Sequence, residues 1–228
     1  AHGPWVEEHL GEVREAADVS WDHAASDVIS VTCARGSAFL KRHRDRRKFD
    51  QERAAYVDWC PGLEAAATLL AATESPGPAL LVQAAPGVPL AQLDALSVDA
   101  ERDHWRRAGA FLAALHALPH EDLDELPLPD AWARRAEAWG RRAADAITRE
   151  EANAVLSLTR APWPDTTEVP RRVPCHRDFT PRNWIVTEGS IAVIDFEHAR
   201  PDWALVDLAR ALEEIPLGRE DLASALWA

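Results

Sequence analysis

Methionine is missing from all 228 residues, the initiator position included, and the chain has one tyrosine and three cysteines. Cys33, Cys60 and Cys175 are far apart, odd in number and form no Cys-x-x-Cys pair. That spacing excludes a disulfide framework and a zinc-binding pattern, and it fits a reducing, cytoplasmic setting. No run approaches the roughly 18 uninterrupted apolar residues of a membrane helix. A charged-then-apolar secretory start is also absent. Positive charge is scarce: 25 Lys and Arg stand against 38 Asp and Glu, a formal charge of −13. A nucleic acid is thereby disfavoured as the main partner, because phosphate backbones require a basic face. The acidic surplus would suit a cationic small molecule, although acidity also serves solubility alone. With no methionine and little chain after the last motif, the sequence is expected to be part of a longer product, its C-terminus incomplete.

What is present is ordinary for a folded domain, with 47% hydrophobic and 28% charged residues. Trp5, Val6, His9, Leu10 and Val13 recur at helical spacing, predicting a short amphipathic helix over 5–17. Asp27–Cys33 and Ser37–Lys41 are rich in β-branched and apolar residues around Ala34-Arg35-Gly36 and predict a β-hairpin. A helix is expected over Lys48–Trp59, and a buried strand over Ala79–Ala84 before the break Pro86-Gly-Val-Pro89. Beyond the break, Trp105, Ala108, Phe111, Leu112, Leu115 and His116 mark a strong amphipathic helix over 99–118. Further helix is expected over 131–158, an extended linker over Pro162–Pro174, two short strands at 184–186 and 191–194, and a final helix over 205–214. The basic run Lys41–Lys48 reads as a solvated turn rather than a nucleic-acid patch.

The sharpest chemical signal is Cys175-His-Arg-Asp178-Phe-Thr-Pro-Arg-Asn183, followed by the strand pair and Ile194-Asp195-Phe196-Glu197. Phosphoryl transfer needs an oriented acceptor hydroxyl and divalent metal to neutralise the phosphates. Mg²⁺ takes hard oxygen ligands, typically one or two carboxylates plus phosphate and water. An Asp, an Asn five residues on and a second Asp across a hairpin supply both requirements.

This His-x-Asp-x-x-x-x-Asn…Ile-Asp-Phe-Glu pattern resembles the catalytic and metal-binding loops of the aminoglycoside phosphotransferases and related small-molecule kinases. The resemblance implies an α+β, bilobal, protein-kinase-like fold, with a β-rich N-lobe over 1–85 and a larger helical C-lobe over 86–228. It further implies Asp178 as the residue that orients or deprotonates the acceptor, Asn183 and Asp195 as Mg²⁺ ligands, and His176 as structural. Lys41, at the end of Phe39-Leu40-Lys41, matches the lysine that contacts the α- and β-phosphates, with Glu52 as its pairing glutamate. Backbone groups of Gln83, Ala84 and Ala85 match the hinge that binds the adenine edge of ATP (or GTP). His116 and Asp207 match structural positions, Asp207 as an anchor of the catalytic loop.

Two departures qualify the pattern. The stretch Trp21–Asp27, where a phosphate-covering loop is expected, contains no glycine. Little chain is left after Asp207 to build an acceptor pocket, for which Glu197, Asp202, Glu213 and Glu214 are the acidic candidates. The implied reaction is γ-phosphoryl transfer to a small hydroxyl compound: an aminoglycoside or other antibiotic, or a sugar, amino alcohol or nucleoside. The rival from another class is a nucleotide-binding module without efficient turnover. A protein kinase is disfavoured, because no Ala-Pro-Glu segment follows Asp195.

Overall fold

A computed structural model describes residues 2–20, 26–93, 96–121, 126–160 and 171–228. The expected hairpin is its centre. Strands β2 (Ser26–Cys33) and β3 (Gly36–His43) pair antiparallel, with Ile29 opposite Leu40 and Val28 opposite Lys41. Strand β1 (Val13–Asp18) joins β2, while β5 (Ala79–Gln83) joins β3 and carries β4 (Leu69–Thr73) at the far edge. The result is a five-stranded antiparallel sheet of order β1-β2-β3-β5-β4.

Alternation across β5 explains why its sequence is an unbroken apolar run. Ala79 and Leu81 point to a small core formed with Val31, Ala38, Leu40 and helix α1 (Gly3–Leu10). Leu80 and Val82 point the other way, into the main core with Phe49, Trp105, Phe179, Trp184 and Phe196. Helix α2 (Arg46–Ala54) crosses this second face, its start capped by the Asp45 carboxylate accepting from the Arg47 N–H. One wider helical turn, Ala55–Trp59, prolongs it.

Helix α3 (Val98–His116) opens on Ser97, whose hydroxyl accepts from the Ala100 N–H, and buries Trp105, Ala108, Phe111, Leu112 and Leu115 as its periodicity requires. Around it lie α4 (Leu128–Arg142), α5 (Arg149–Arg160), α6 (Leu205–Leu212) and α7 (Glu220–Trp227). Short strands complete the frame: β6 (Val88–Pro89) pairs with β8 (Trp184–Thr187), which pairs with β9 (Ser190–Val193). Strand β7 (Val173–Cys175) pairs with β10 (Arg200–Asp202).

Two glycines are required by close approach. At Gly109 of α3 a Cβ would lie 1.9 Å from the Leu226 carbonyl oxygen, so α7 can pack there only against a bare backbone. At Gly87, with φ +113°, a Cβ would lie 2.2 Å from the Val186 carbonyl oxygen.

Three expectations need correction. Val13–Asp18 is an edge strand, not the end of a helix: Gly11, at φ +74°, stops α1, and β2 recruits the exposed residues that follow. The predicted helix over 131–158 is two helices, α4 and α5. Helix α7 lies beyond the last predicted element, its burial confined to Leu222 and Leu226. The proline-rich linker is described only from Arg171 onward, Pro162, Pro164 and Pro170 lying outside the described residues. No helix of the described residues is long and apolar enough to cross a membrane, and the three cysteines are buried and unpaired.

Candidate active site

Strand β3 carries Lys41 inward, and α2 presents Glu52 one turn beyond Phe49 on its buried face. Lys41 Nζ lies 2.9 Å from Glu52 Oε2, 2.5 Å from Asp195 Oδ1 and 3.0 Å from Glu197 Oε2. Burial alone would pull the lysine down; the three carboxylates outweigh it and hold its pKa well above the usual 10.5. Glu52 mirrors this: burial pushes its pKa up, but Lys41 and His43 prevail and keep it below the ordinary 4.5. His43 Nε2 is 3.1 Å from Glu52 Oε2, with no exposed side-chain surface. A buried charge survives only when paired, and here one ammonium is shared among three carboxylates.

The second half of the site is the loop after β7. Asp207, fully buried at the start of α6, accepts the backbone N–H groups of His176 (3.0 Å) and Arg177 (2.6 Å), and His116 Nε2 lies 3.0 Å from it. His176 Nε2 donates to the Ile194 carbonyl (2.9 Å) while its Nδ1 accepts from the Asp178 N–H (3.3 Å), which fixes the tautomer. Asn183 Nδ2 donates to both the Asp178 carbonyl (2.8 Å) and its Oδ2 (3.1 Å). Arg210 Nη2 donates to Asp178 Oδ1 at 3.1 Å. The Asp178 side chain is therefore held at both oxygens, yet remains 34% exposed.

The β8–β9 hairpin joins the halves. Its ladder continues past Trp184 opposite Val193, with the Ile194 N–H donating to the Asn183 carbonyl at 3.0 Å. Asn183 and Asp195 are thereby set at one end of the hairpin. Among the described residues only Arg177 and Asp195 are non-glycine residues with positive φ, both +66°; the first adjoins the expected catalytic Asp178 and the second is itself an expected metal ligand. Such left-handed backbone costs about 1–3 kcal/mol and concentrates at functional sites.

The structure thus brings Lys41, Glu52 and Asp195 into one cluster and Asp178 and Asn183 into a second. Gln83, Ala84 and Ala85 follow β5, but two of their amides are engaged: Gln83 N–H donates to Thr68 O (2.8 Å) and Ala84 N–H to Ser37 O (3.0 Å). Of the glycine-free stretch, Trp21–Ala25 lie outside the described residues, and Ser26 Oγ reaches Glu197 Oε2 at 3.4 Å.

Several contributors escaped sequence reasoning. On α2, Lys48 Nζ and Gln51 Nε2 both donate to the Glu197 carbonyl, at 3.2 and 3.1 Å. Lys48 also lies 2.7 Å from His198 Nδ1. The basic run is solvated as expected only over 44–47, the turn into α2; Lys41 and His43, still in β3, are buried, and Arg42 and Arg44 both pair with Asp27. Each acidic candidate for the acceptor is already paired. Glu197 meets Lys41, Glu213 meets Arg210 (2.7 Å) and Glu214 meets Arg182 (3.3 Å). Asp202, only 1% exposed, takes two donors from Arg135 (2.5 and 3.0 Å) and lies 2.9 Å from Arg177 Nε. Position three after Asp207 is the one readable trace of Arg210, since that spacing shares a helix face.

The sequence model of the phosphotransferase enzyme family matches residues 18–226. The chain belongs to that family. Its fold is similar to the gentamicin complex of aminoglycoside phosphotransferase APH(2″)-IIa, at 14% identity and TM-score 0.70, over 98% of this chain and 78% of that one. It is also similar to a macrolide 2′-phosphotransferase from Brachybacterium faecium, at 19% identity and TM-score 0.66, over 98% and 81%. A thermostable aminoglycoside phosphotransferase APH(4)-Ia, in ternary complex with ADP and hygromycin B, matches at 18% identity and TM-score 0.68, over 91% and 75%. No curated protein matches the chain. At these identities the structural likeness shows the fold, bilobal and kinase-like; the family match makes the chain a phosphotransferase relative.

Proposed function

We propose that the protein transfers the γ-phosphoryl group of ATP, or GTP, to a hydroxyl of a small molecule, in a cytoplasmic setting and with an antibiotic among the candidate acceptors. The observation that carries this reading is the Asp178 carboxylate: positioned by Asn183 and Arg210, yet a third exposed, between the buried His176 and Phe179. An acceptor oxygen attacks the γ-phosphorus in line. The bond to the bridging oxygen breaks, the nucleoside diphosphate leaves with the electron pair, and the hydroxyl proton passes to Asp178.

In this reading Lys41 exchanges part of its contact with Asp195 for the α- and β-phosphates, while Glu52 and His43 keep it aimed. The donor set fits Mg²⁺: Asn183 spends its amide N–H₂ on Asp178, leaving its carbonyl oxygen, and Asp195 offers the carboxylate oxygen not facing Lys41. When bound there the ion would neutralise charge on the β- and γ-phosphates. The adenine edge would meet backbone carbonyls near Gln83 and the Ala85 N–H, which takes no backbone partner among the described residues. The chain would divide near residue 85, with the nucleotide between the two parts.

The test is release of ADP from Mg²⁺-ATP against aminoglycosides, other hydroxylated antibiotics, sugars and amino alcohols, with Asp178→Asn as the blank. Release that depends on one compound and disappears in the variant supports the reading. The glycine-free stretch Trp21–Asp27 favours a second reading, a nucleotide binder without efficient transfer. A Mg²⁺-dependent thermal shift with ATP and no release from any acceptor would support that one instead.

A further inference from the structure

Lysine is nearly absent from the chain. Of its 25 Lys and Arg residues only Lys41 and Lys48 are lysines, and both meet the same glutamate. Lys41 Nζ lies 3.0 Å from the Glu197 carboxylate, and Lys48 Nζ donates to the Glu197 backbone carbonyl at 3.2 Å. Lys48 also lies 2.7 Å from His198 Nδ1. An ammonium can only donate, so the imidazole proton sits on Nε2, which is 3.2 Å from Glu197 Oε1. Lys48 thus holds Glu197 twice, directly at the carbonyl and through His198 at the carboxylate.

Glu197 lies two residues beyond Asp195, whose backbone is left-handed at φ 66° and ψ 66°. Such a conformation in a non-glycine residue persists only where its surroundings fix it. Upstream, both backbone groups of Ile194 are fixed, its N–H donating to the Asn183 carbonyl (3.0 Å) and its carbonyl accepting from His176 Nε2 (2.9 Å). Downstream, Phe196 is buried in the core, and the Glu197 carbonyl accepts from both Lys48 and Gln51 Nε2 (3.1 Å). Those two donors stand three residues apart on α2, one turn along the same face. The place is unfavourable for a cation: burial, joined by Arg47, Lys41 and Arg177, lowers the Lys48 pKa from 10.5, with Glu197 opposing. A neutral donor of the Gln51 kind would satisfy a carbonyl without that cost. The ammonium therefore answers to the charge on Glu197 and the turn around it.

Resting on the phosphotransferase reading above, we infer that Lys48 is a positioning residue: its ammonium locks the Glu197 turn to α2 and so keeps Asp195 in the backbone conformation that a Mg²⁺-nucleotide complex uses. Glu52 reaches Asp195 from the same helix through Lys41. Helix α2 therefore grips the Asp195 loop at a side chain and at the backbone, and the second grip belongs to Lys48 and Gln51.

The experiment measures the affinity of the full chain for ATP by calorimetry, with Mg²⁺ and with EDTA in its place, and reads the ratio of the two. Lys48→Met should lower that ratio about tenfold while the metal-free affinity stays within about twofold. A merely structural role would weaken both equally, and an unchanged ratio overturns the inference. Lys48→Cys then gives one protein with and without the charge: aminoethylation rebuilds an ammonium at lysine length, and methylthiolation leaves an apolar chain. Cys33, Cys60 and Cys175 are buried, which directs the reagent to position 48. The aminoethylated form should recover the wild-type ratio and the methylthiolated form should not; equal ratios in the two overturn the inference. Gln51→Leu removes the other donor to the same carbonyl without touching the charge, and should lower the ratio about threefold. It keeps the inference open to refutation should the Lys48 variants fail to fold, since an unchanged ratio there overturns it too. Wild type that binds ATP with no dependence on Mg²⁺ sinks the phosphotransferase reading. Normal Mg²⁺ dependence that these variants do not alter sinks this inference alone.

Discussion

Two regions of the molecule are built on opposite principles. Around Lys41 the protein buries charge and closes it on itself, one ammonium against Glu52, Asp195 and Glu197. Around the cavity between α4 and α5 it leaves apolar surface open, with Trp139 65% exposed and Val155 50% exposed. The first arrangement is expensive to form and tolerates little change at its centre, because removing Lys41 would leave three carboxylates facing one another without a counter-charge. The second can vary in detail while the chemistry stays fixed.

The sharpest way to break this contrast is Asp178→Asn, which should lower transfer by about 10²–10⁴-fold while circular dichroism stays unchanged, since the carboxylate is partly exposed. Retained activity would remove Asp178 from the reaction.

Glu52→Gln tests the buried cluster. It should cost about 1–3 kcal/mol in denaturant unfolding, because Lys41 keeps Asp195 and Glu197 as partners and what is lost is one charged acceptor shared with His43. Its pH behaviour follows from the shifts. Glu52 is lowered below 4.5 in the fold, so its stabilisation is present above that value and is lost as pH falls through the folded pKa. Lys41 is raised above 10.5, so its contribution is full below that value and lost only as pH rises through its folded pKa. The wild type should therefore lose stability on acidification below about pH 4.5, and Glu52→Gln should flatten that slope. An unchanged slope would mean the pair is not formed in solution.

A smaller effect separates two glycines of identical chemistry. Gly109→Ala should destabilise by about 1–3 kcal/mol, because α7 must move away from the added carbon. Gly140→Ala, in open space, should stabilise by about 0.5–1 kcal/mol. Equal effects in thermal melts would argue that α7 does not pack as described. Smallest of all, Trp139→Ala should leave unfolding within about 0.5 kcal/mol in thermal melts, because the indole is 65% exposed.

Much of the catalytic side is legible in the sequence, because its residues lie in one contiguous loop and hairpin: Asp178, Asn183 and Asp195 are separated by distances that turn geometry fixes. Lys41 and Glu52 are legible only through resemblance, since a lysine at a strand end and a glutamate on a helix have no local mark of burial. The edge strand β1 is invisible for a related reason. Its residues are exposed on almost every position, so no alternation records the pairing that β2 imposes. Helix α7 depends on Gly109, more than a hundred residues earlier, and no periodicity within α7 reports that distant backbone.

The sequence by itself determined the β2–β3 hairpin, the amphipathic α3, and the loop that offers two aspartates and an asparagine to phosphoryl chemistry. These follow from local periodicity, turn residues and short-range spacing, which act within a few residues along the chain. Only the tertiary structure decided which charges cancel. Asp202 reads as a candidate for a cation and is spent on Arg135, and Arg210, to which sequence reasoning assigns no role, holds Asp178. Pairing of charges depends on distance through space and on the loss of solvent at the point of contact, and neither is written in sequence separation.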